Sequence, residues 1–141
     1  MHTESSSVVR SNWSETCDSV IREKPKFIKR TRDCLWLSSI ETMSNILQGY
    51  KFTADKYTEE DGSVTLSLNE MDIVENGQNE HDAVKKLSES ILEYANEYYD
   101  EYELYSRSSN RKGHLPYVVK ALIMDDVDMI GEEIVCHDGK N

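Results

Sequence analysis

The sequence predicts an α+β fold, in which a small helix-and-hairpin module precedes an antiparallel sheet covered by one long helix. Three patterns lead to this prediction. In residues 13–21 and 84–105 the apolar side chains recur every three or four positions, which is the period of an amphipathic helix. Residues 26–29 and 34–37 have the composition of neighbouring strands. Asp61-Gly62 separates two alternating runs and therefore predicts a β-hairpin.

The first module is predicted over residues 8–49 as strand, helix, strand, strand and helix. Val8-Val9 supplies a short apolar start. Ser11 or Asn12 is expected to cap the first helix, because its side-chain oxygen can accept a bond from a free helical amide. Pro25 is expected to end that helix, since its ring disfavours helical geometry in the residue before it.

The second half is predicted to form the sheet and its covering helix. The alternating pattern of residues 50–57 and 63–68 is that of half-buried strands. The elements predicted after them are, in order, a strand at 71–74, a helix capped by Asn79 that runs to about Tyr105, a helix opened by Pro116, a last helix or strand over 127–135, and an exposed tail at 136–141.

The formal net charge of −11 is divided unevenly along the chain. Residues 1–51 contain eight Lys or Arg and six Asp or Glu, whereas residues 52–141 contain eight and twenty-one. A basic surface in the first part can lie against phosphates and release their condensed counterions, and the acidic part cannot. An acidic surface also keeps a small protein in solution, so this simpler explanation stays open.

The lack of a targeting signal and the pattern of cysteines indicate the cellular compartment. No run of eighteen apolar residues is present, and residues 1–10 lack the basic and apolar regions of a secretory signal. Cys17, Cys34 and Cys136 are odd in number and widely spaced, which favours reduced thiols over a disulfide framework. Cys17 and Cys34 are expected on apolar faces in the core. These observations predict a cytoplasmic protein.

Patterns typical of catalysis are weak in this sequence. Cys136-His137 offers half of a zinc site, without a second pair of ligands. The paired carboxylates lie in charge-rich runs, without an apolar pocket that would raise the pKa of one of them. The six glycines are isolated, so no phosphate-binding loop is expected. We therefore expect neither an enzyme nor a bound metal or cofactor.

Residues 8–47 resemble the N-terminal DNA-binding module of the Phd/YefM antitoxin family. The matching segments are Arg10-Ser11-Asn12-Trp13 and residues 14–20, 25–30, 35–38 and 40–47, within a stretch that is just over a quarter of the chain. The family has a glycine in the tight turn after the basic residue, whereas this chain has Arg32-Asp33 there. Aspartate tolerates left-handed geometry, so the hairpin is still expected.

The second half resembles the HicB-like antitoxin domain. The residues that carry this likeness are Glu60-Asp61-Gly62-Ser63-Val64, Ile73-Val74, Gly77, and His81-Asp82-Ala83-Val84. The aromatic segment that such domains have between strands is replaced here by residues 69–72. The two resemblances together divide the chain into a dimerising DNA-binding module, residues 1–49, and an acidic toxin-neutralising region, residues 50–141.

These resemblances imply the antitoxin of a type II toxin–antitoxin system. Such a protein binds and neutralises its cognate toxin, here expected to be a basic ribonuclease, and represses its own operon by binding operator DNA. The matching positions give the following DNA contacts: Arg10, Ser11, Asn12, Arg30 and Arg32. A solvated surface charge is the simpler explanation for each of them. Two other functions stay open, an orphan transcriptional regulator without a toxin and a small acidic adaptor between proteins.

The strand that contains Leu35, Trp36 and Leu37 predicts a homodimer. Its side chains are apolar on both faces of the strand. A strand of this kind is suited to burial on two sides, as in a sheet packed at an interface.

The long helix contains the residues expected to bind the toxin. Four glutamates follow one another at intervals of four, where like charges repel in a free helix and a basic partner relieves the repulsion. Five tyrosines lie within twelve residues, and tyrosine is favoured at interfaces. The predicted toxin contacts are Glu89, Glu93, Glu97, Tyr98, Glu101 and Tyr102. The alternative is a solvated acidic face, with the tyrosines in the core of the domain.

Overall fold

The computed structural model of the chain describes residues 1–140, which form seven α-helices and seven β-strands. These elements make two compact units, Met1–Ile46 and the chain from Leu47 onward, each with its own small sheet. The predicted α+β class is therefore confirmed. Within the described residues, no helix has both the length and the apolar character needed to cross a membrane.

The first unit is a three-stranded sheet with three helices. Its elements are β1 (Thr3–Ser5), α1 (Ser6–Ser11), α2 (Trp13–Arg22), β2 (Lys26–Arg30), β3 (Asp33–Leu37) and α3 (Ile40–Ile46). The strand order is β1-β2-β3, with β1 parallel and β3 antiparallel to β2. The predicted order of strand, helix, strand, strand and helix is present, with its first helix divided in two.

The start of the first unit differs from the sequence prediction. Val8 and Val9 lie inside α1, because Ser5 caps that helix by accepting a bond from the Val8 amide at 3.3 Å. The first strand is instead the polar segment Thr3–Ser5, which β2 holds through parallel backbone pairing. Asn12 lies between α1 and α2 and makes no side-chain cap bond to α2. A polar edge strand has no apolar alternation, so the sequence pattern could not indicate it.

The second unit is a four-stranded sheet packed against helices. Its elements are β4 (Thr53–Thr58), β5 (Val64–Leu68), β6 (Val74–Gly77), α4 (Glu80–Asp100), α5 (Tyr102–Arg107), α6 (Leu115–Met124), α7 (Val127–Glu133) and β7 (Val135–Asp138), with 3-10 turns at Leu47–Gly49 and Lys112–His114. The strand order is β6-β5-β4-β7. Strand β5 is antiparallel to both β6 and β4, whereas β7 pairs with β4 in parallel.

The predicted hairpin and covering helix form for the expected reasons. Every second residue of β5 is buried against the helices, and Gly62 turns the chain with a φ of 87°, a geometry that glycine adopts without strain. Asn79 caps α4 by accepting a bond from the Asp82 amide at 2.8 Å. The apolar stripe of α4 then packs on the sheet, with Leu87 and Ile91 fully buried.

Three boundaries in the second unit were wrong. The long helix stops at Asp100 rather than at about Tyr105, since Glu101 leaves helical geometry (φ −108°, ψ 38°) before α5 begins. The third strand covers Val74–Gly77 rather than residues 71–74. Residues 135–138, predicted in part as an exposed tail, form β7, because Val135 donates to the Phe52 carbonyl and the backbone pairs with β4. This parallel strand makes the sheet mixed.

Gly77 permits the close approach of β6 and α4. A methyl group at Gly77 would overlap the backbone nitrogen of Ala83 and would lie 2.7 Å from its Cα atom. We predict that Gly77→Ala lowers the free energy of unfolding by about 1–3 kcal/mol, because these backbone atoms cannot rotate away. Gly49→Ala is the matched control, since nothing lies within 4 Å of its added carbon. Urea unfolding followed by circular dichroism measures both; equal midpoints would contradict the packing argument.

Candidate functional site

The residues predicted to contact DNA are all exposed on the first unit. Arg10 and Ser11 end α1, and Asn12 follows them. Ser11 Oγ donates to the Ser7 carbonyl at 3.0 Å, and Asn12 Nδ2 donates to the Val8 carbonyl at 3.1 Å. The side chains of Ser11 and Asn12 are thus hydrogen-bonded to the backbone of α1, whereas the cation of Arg10 faces solvent.

Arg30 ends β2, and Arg32 lies in the hairpin turn between β2 and β3. Arg30 pairs with Asp33 across the two strands, which leaves Thr31 and Arg32 as the two-residue turn. The left-handed residue is Thr31, with a φ of 57°, and not Asp33 as the sequence suggested. Left-handed geometry is strained for a β-branched residue. The turn holds both arginines exposed at one end of the sheet.

An apolar groove lies next to Arg10. Its volume is about 680 Å³, and its lining residues are Ser6, Val9, Arg10, Trp13, Ile28, Leu35, Trp36 and Leu37. Trp13 and Trp36 are exposed, and 56% of the Leu35 surface is accessible. Large exposed apolar patches of this kind mark interaction surfaces on soluble proteins.

The helix α3 also presents unburied apolar side chains. None of its residues is buried in the described structure, and Ile40 and Ile46 are exposed. An amphipathic helix gains most of its stability from tertiary packing, and the described residues bury no side chain of α3. Cys34, predicted in the core, is exposed on β3, because the described chain does not cover that face of the strand.

The solvent face of α4 is acidic. Glu89 and Glu93 are exposed there, on the side of the helix opposite the buried stripe. From residue 88 to residue 106 the chain contains six Asp or Glu and no Lys or Arg. This face therefore repels phosphates and attracts cationic protein surfaces.

Two of the predicted toxin contacts, Tyr98 and Glu97, make hydrogen bonds within the second unit. Tyr98 has 0% of its surface exposed, and its hydroxyl donates to the Arg111 carbonyl at 3.0 Å. Glu97 accepts a bond of 2.7 Å from the hydroxyl of Tyr105. Tyr98 is therefore a core residue, which is the alternative that the sequence left open. Glu97 anchors α5, although its side chain is at the surface.

A partly buried aromatic cluster joins the end of α4 to the segment before α6. The Tyr94 hydroxyl lies 2.7 Å from His114 Nδ1, and the Arg111 guanidinium lies 4.2 Å from the centre of the Tyr105 ring. Burial raises the pKa of Tyr94. Burial lowers the pKa of His114, an effect that Arg111 reinforces and Asp72 opposes. Both groups are thus neutral near pH 7, and a hydrogen bond between neutral groups holds the two segments together.

The tyrosines fall into two groups that sequence reasoning did not separate. Tyr94, Tyr98 and Tyr105 each have a hydrogen-bond partner in the cluster. Tyr99 and Tyr102 are instead 67% and 46% exposed. Leu104 is 63% exposed beside them in the chain. The irregular residue Glu101 shifts the helical phase here, so a single period counted along the sequence could not identify these residues.

Metal ligands do not converge in the part of the chain that is described. No group of three or more His, Cys, Asp or Glu side chains there is placed to hold an ion. Cys136 lies half-buried in β7, and burial raises the pKa of its thiol, an effect that Glu80 strengthens. A thiol with a raised pKa is a poor nucleophile near neutral pH.

Comparisons with known proteins cover both units. Residues 1–136 match the PHD-like family model, described as "Antitoxin of toxin-antitoxin, RelE / RelB, TA system". A crystal structure from Syntrophomonas wolfei subsp. wolfei, of an antitoxin part of a proposed toxin/antitoxin system, has a TM-score of 0.93 to this chain. The two sequences are 33% identical over 99% of this chain and 100% of the other. No curated protein matches the sequence.

Proposed function

The chain belongs to the PHD-like family of antitoxins of toxin–antitoxin systems, and from that premise we propose that it neutralises a basic ribonuclease toxin and represses its own operon. The observation that carries the proposal is the acidic, exposed face of α4 in a chain of this family. The mechanism is stoichiometric binding in the cytoplasm and requires no catalysis by this chain.

Charge complementarity supports the toxin-binding part of the proposal. A ribonuclease holds RNA with basic side chains, and carboxylates presented by a folded protein attract the same side chains. Glu89, Glu93 and Glu101 are exposed and belong to an uninterrupted acidic segment. Glu97 supports this surface through Tyr105. We therefore assign residues 50–141 to the toxin.

Exposed arginines support the DNA-binding part. Arg10, Arg30 and Arg32 face solvent in a first unit whose sequence has more basic than acidic residues. Ser11 and Asn12 follow Arg10 at the end of α1, where their side chains bond to its backbone. Cations held on a folded surface contact phosphates and displace counterions. We therefore assign residues 1–49 to operator DNA, as in the Phd/YefM modules that they resemble.

The uncovered apolar surface of the first unit supports a homodimer. Leu35 and Trp36 line an open groove, and α3 has no buried residue. A second copy presents the same apolar surface, so a two-fold interface can cover both grooves at once. A dimer also brings two sets of arginines to one duplex, which matches the two half-sites of an operator.

Two alternative functions predict different binding partners. An orphan regulator binds DNA through the first unit and has no protein bound to α4. An acidic adaptor binds protein and has no affinity for its own promoter. The HicB-like assignment of the second unit is a finer proposal, based on its hairpin, short strand and following helix.

Reversing the charge of the α4 face tests neutralisation. We predict that Glu89→Lys with Glu93→Lys slows association with the toxin by at least about tenfold, because electrostatic steering is reversed. The toxin used is the purified product of the reading frame adjacent to this chain's own. Both side chains are exposed, so stability should change by less than about 0.5 kcal/mol per substitution. Interferometry gives the rates, and a co-expression growth assay gives the protection.

The matched control is Glu59→Lys with Glu60→Lys. These residues are exposed in the β4–β5 loop, and the change in net charge is the same. The control should associate at close to the parent rate. If both pairs slow association equally, then net charge rather than the α4 face is responsible.

Removing two arginines tests the DNA surface. We predict that Arg10→Ala with Arg30→Ala weakens binding to the promoter, and that the slope of log K against log salt concentration falls by about two, one for each lost phosphate contact. Fluorescence anisotropy at several salt concentrations measures both quantities. Arg22→Ala with Lys24→Ala is the control, as both are exposed cations of the first unit outside the proposed set. Identical slopes for the two variants would refute the assignment.

Charged residues in the groove test the dimer. We predict that Leu35→Asp with Trp36→Asp yields a monomer at micromolar concentration, because a buried carboxylate without a partner is strongly unfavourable. Sedimentation velocity measures the mass, and circular dichroism checks that the fold is retained. Val74→Asp is the control, since Val74 is 58% exposed on the second unit. A monomeric parent protein would contradict the homodimer itself.

A further inference from the structure

The junction of α4 and α5 has exposed apolar side chains that the fold does not use. Tyr99, Tyr102 and Leu104 lie within six residues, and more than 45% of each is accessible. The residues between them are Asp100, Glu101 and Glu103, so apolar and acidic side chains alternate closely there. We call residues 99–104 the junction patch.

Two buried, hydrogen-bonded tyrosines flank the junction patch. Tyr98 and Tyr105 precede and follow it, and both are buried and hydrogen-bonded, to the Arg111 carbonyl and to Glu97. The Tyr98 and Tyr102 rings are 6.2 Å apart in an edge-to-face arrangement. Anchors that are already ordered lose less conformational entropy on binding, so they contribute more to affinity.

An open groove lies beside Leu104. Its volume is about 540 Å³, and its lining residues are Glu101, Glu103, Leu104, Arg107 and Ser108. The wall contains two carboxylates and one apolar side chain, which suits a long basic side chain with methylene groups and a charged end. Arg107 now lies 3.0 Å from Glu103 in an ion pair that is about 80% exposed on both sides. Such an exposed pair contributes little, so an incoming cation can replace it.

From this geometry we infer that the junction patch is the central anchor for a basic protein segment of the toxin. Tyr99, Tyr102 and Leu104 contact apolar side chains of that segment, and a lysine or arginine of the toxin enters the groove beside Leu104. The surrounding carboxylates exclude nucleic acid and select a cationic protein. This inference rests on the proposed neutralising function and locates its energetic centre beyond Glu89 and Glu93, towards the end of the helix.

The division of roles differs from that of the α4 face. Exposed charges on an interface rim act mainly on the rate of association, whereas apolar and aromatic anchors at the centre act on the rate of dissociation. Tyrosine and leucine side chains in the junction patch therefore determine how long the complex persists. Glu89 and Glu93 determine how fast it forms.

The test replaces the anchors and keeps the charges. The variant is Tyr99→Ser with Leu104→Ser, and the probe is the purified product of the adjacent reading frame. We expect Kd to rise by at least about thirtyfold, mostly through faster dissociation. The thermal melting temperature should stay that of the parent, because both side chains are exposed. Val74→Ser with Met129→Ser, two exposed apolar residues elsewhere on the second unit, is the matched control and should leave Kd within about threefold.

A second pair of substitutions tests the groove separately. Glu101→Gln with Glu103→Gln keeps the shape of the wall and removes its charge. We expect weaker binding with a smaller dependence on salt, since one buried cation then lacks its partner. An unchanged salt dependence would remove the groove from the proposal.

The outcomes separate this inference from the function on which it rests. If the parent protein does not bind the toxin, the proposed function fails. If the parent binds and the variant lacking Tyr99 and Leu104 binds within about threefold of it, neutralisation stands and the junction patch is refuted. If the control variant loses binding to the same extent, the loss is not specific to the junction patch, which also refutes it.

Discussion

The packing of α4 across its sheet is the interaction on which the second unit depends. Leu87, Ile91 and Ala95 have no accessible surface, and full burial of a leucine or isoleucine side chain contributes about 1.5–3 kcal/mol. Because this packing fixes one face of a 21-residue helix, side chains on the opposite face such as Glu89 and Glu93 are left exposed. Near the end of the helix, Tyr98 is buried in the same core and donates to the Arg111 carbonyl. The exposed residues of the α4–α5 junction follow it directly in the chain.

The first unit, in contrast, buries few side chains. Val9, Thr16, Val20 and Ile28 are its buried residues in the described structure, a small core for 46 residues. Domains of this size are marginal on their own, and oligomerisation is one of the usual remedies. The exposed surfaces of Leu35, Trp36 and α3 are therefore consistent with a unit whose stability is coupled to self-association. In that case the folding of this unit and its proposed binding to DNA would depend on the same interface.

Sequence patterns predicted the elements whose buried side chains recur at a regular spacing. The Asp61-Gly62 hairpin and the stripe of α4 were recognisable because burial imposes a period of 2 or 3.6. The errors lie where contacts come from distant backbone. Thr3–Ser5 and Val135–Asp138 are strands because β2 and β4 pair with them, and neither segment alternates. Lys120 is also buried, and its ammonium group donates to the Tyr50 carbonyl at 2.6 Å and pairs with Glu133. No local sequence pattern indicates these contacts.

The candidate site was predictable in charge but not in detail. Composition located the acidic half, whereas the separation of buried from exposed tyrosines required the break at Glu101, which changes the helical phase. The sequence also cannot say that Glu97 is engaged, because its partner Tyr105 lies eight residues away, beyond the reach of one continuous helix turn.

The cost of the acidic face bears on why it is present. Each pair of glutamates spaced four apart destabilises a helix by about 0.2–0.5 kcal/mol, so the two pairs within α4, Glu89–Glu93 and Glu93–Glu97, together cost about 0.4–1 kcal/mol. Burial of Leu87 and Ile91 alone outweighs that repulsion. The fold therefore tolerates the acidic face without requiring it, and a single lysine at position 93 would have relieved the strain. A surface that slightly opposes its own helix adds nothing to the stability of the monomer, and it supports the proposed interaction with a cationic partner.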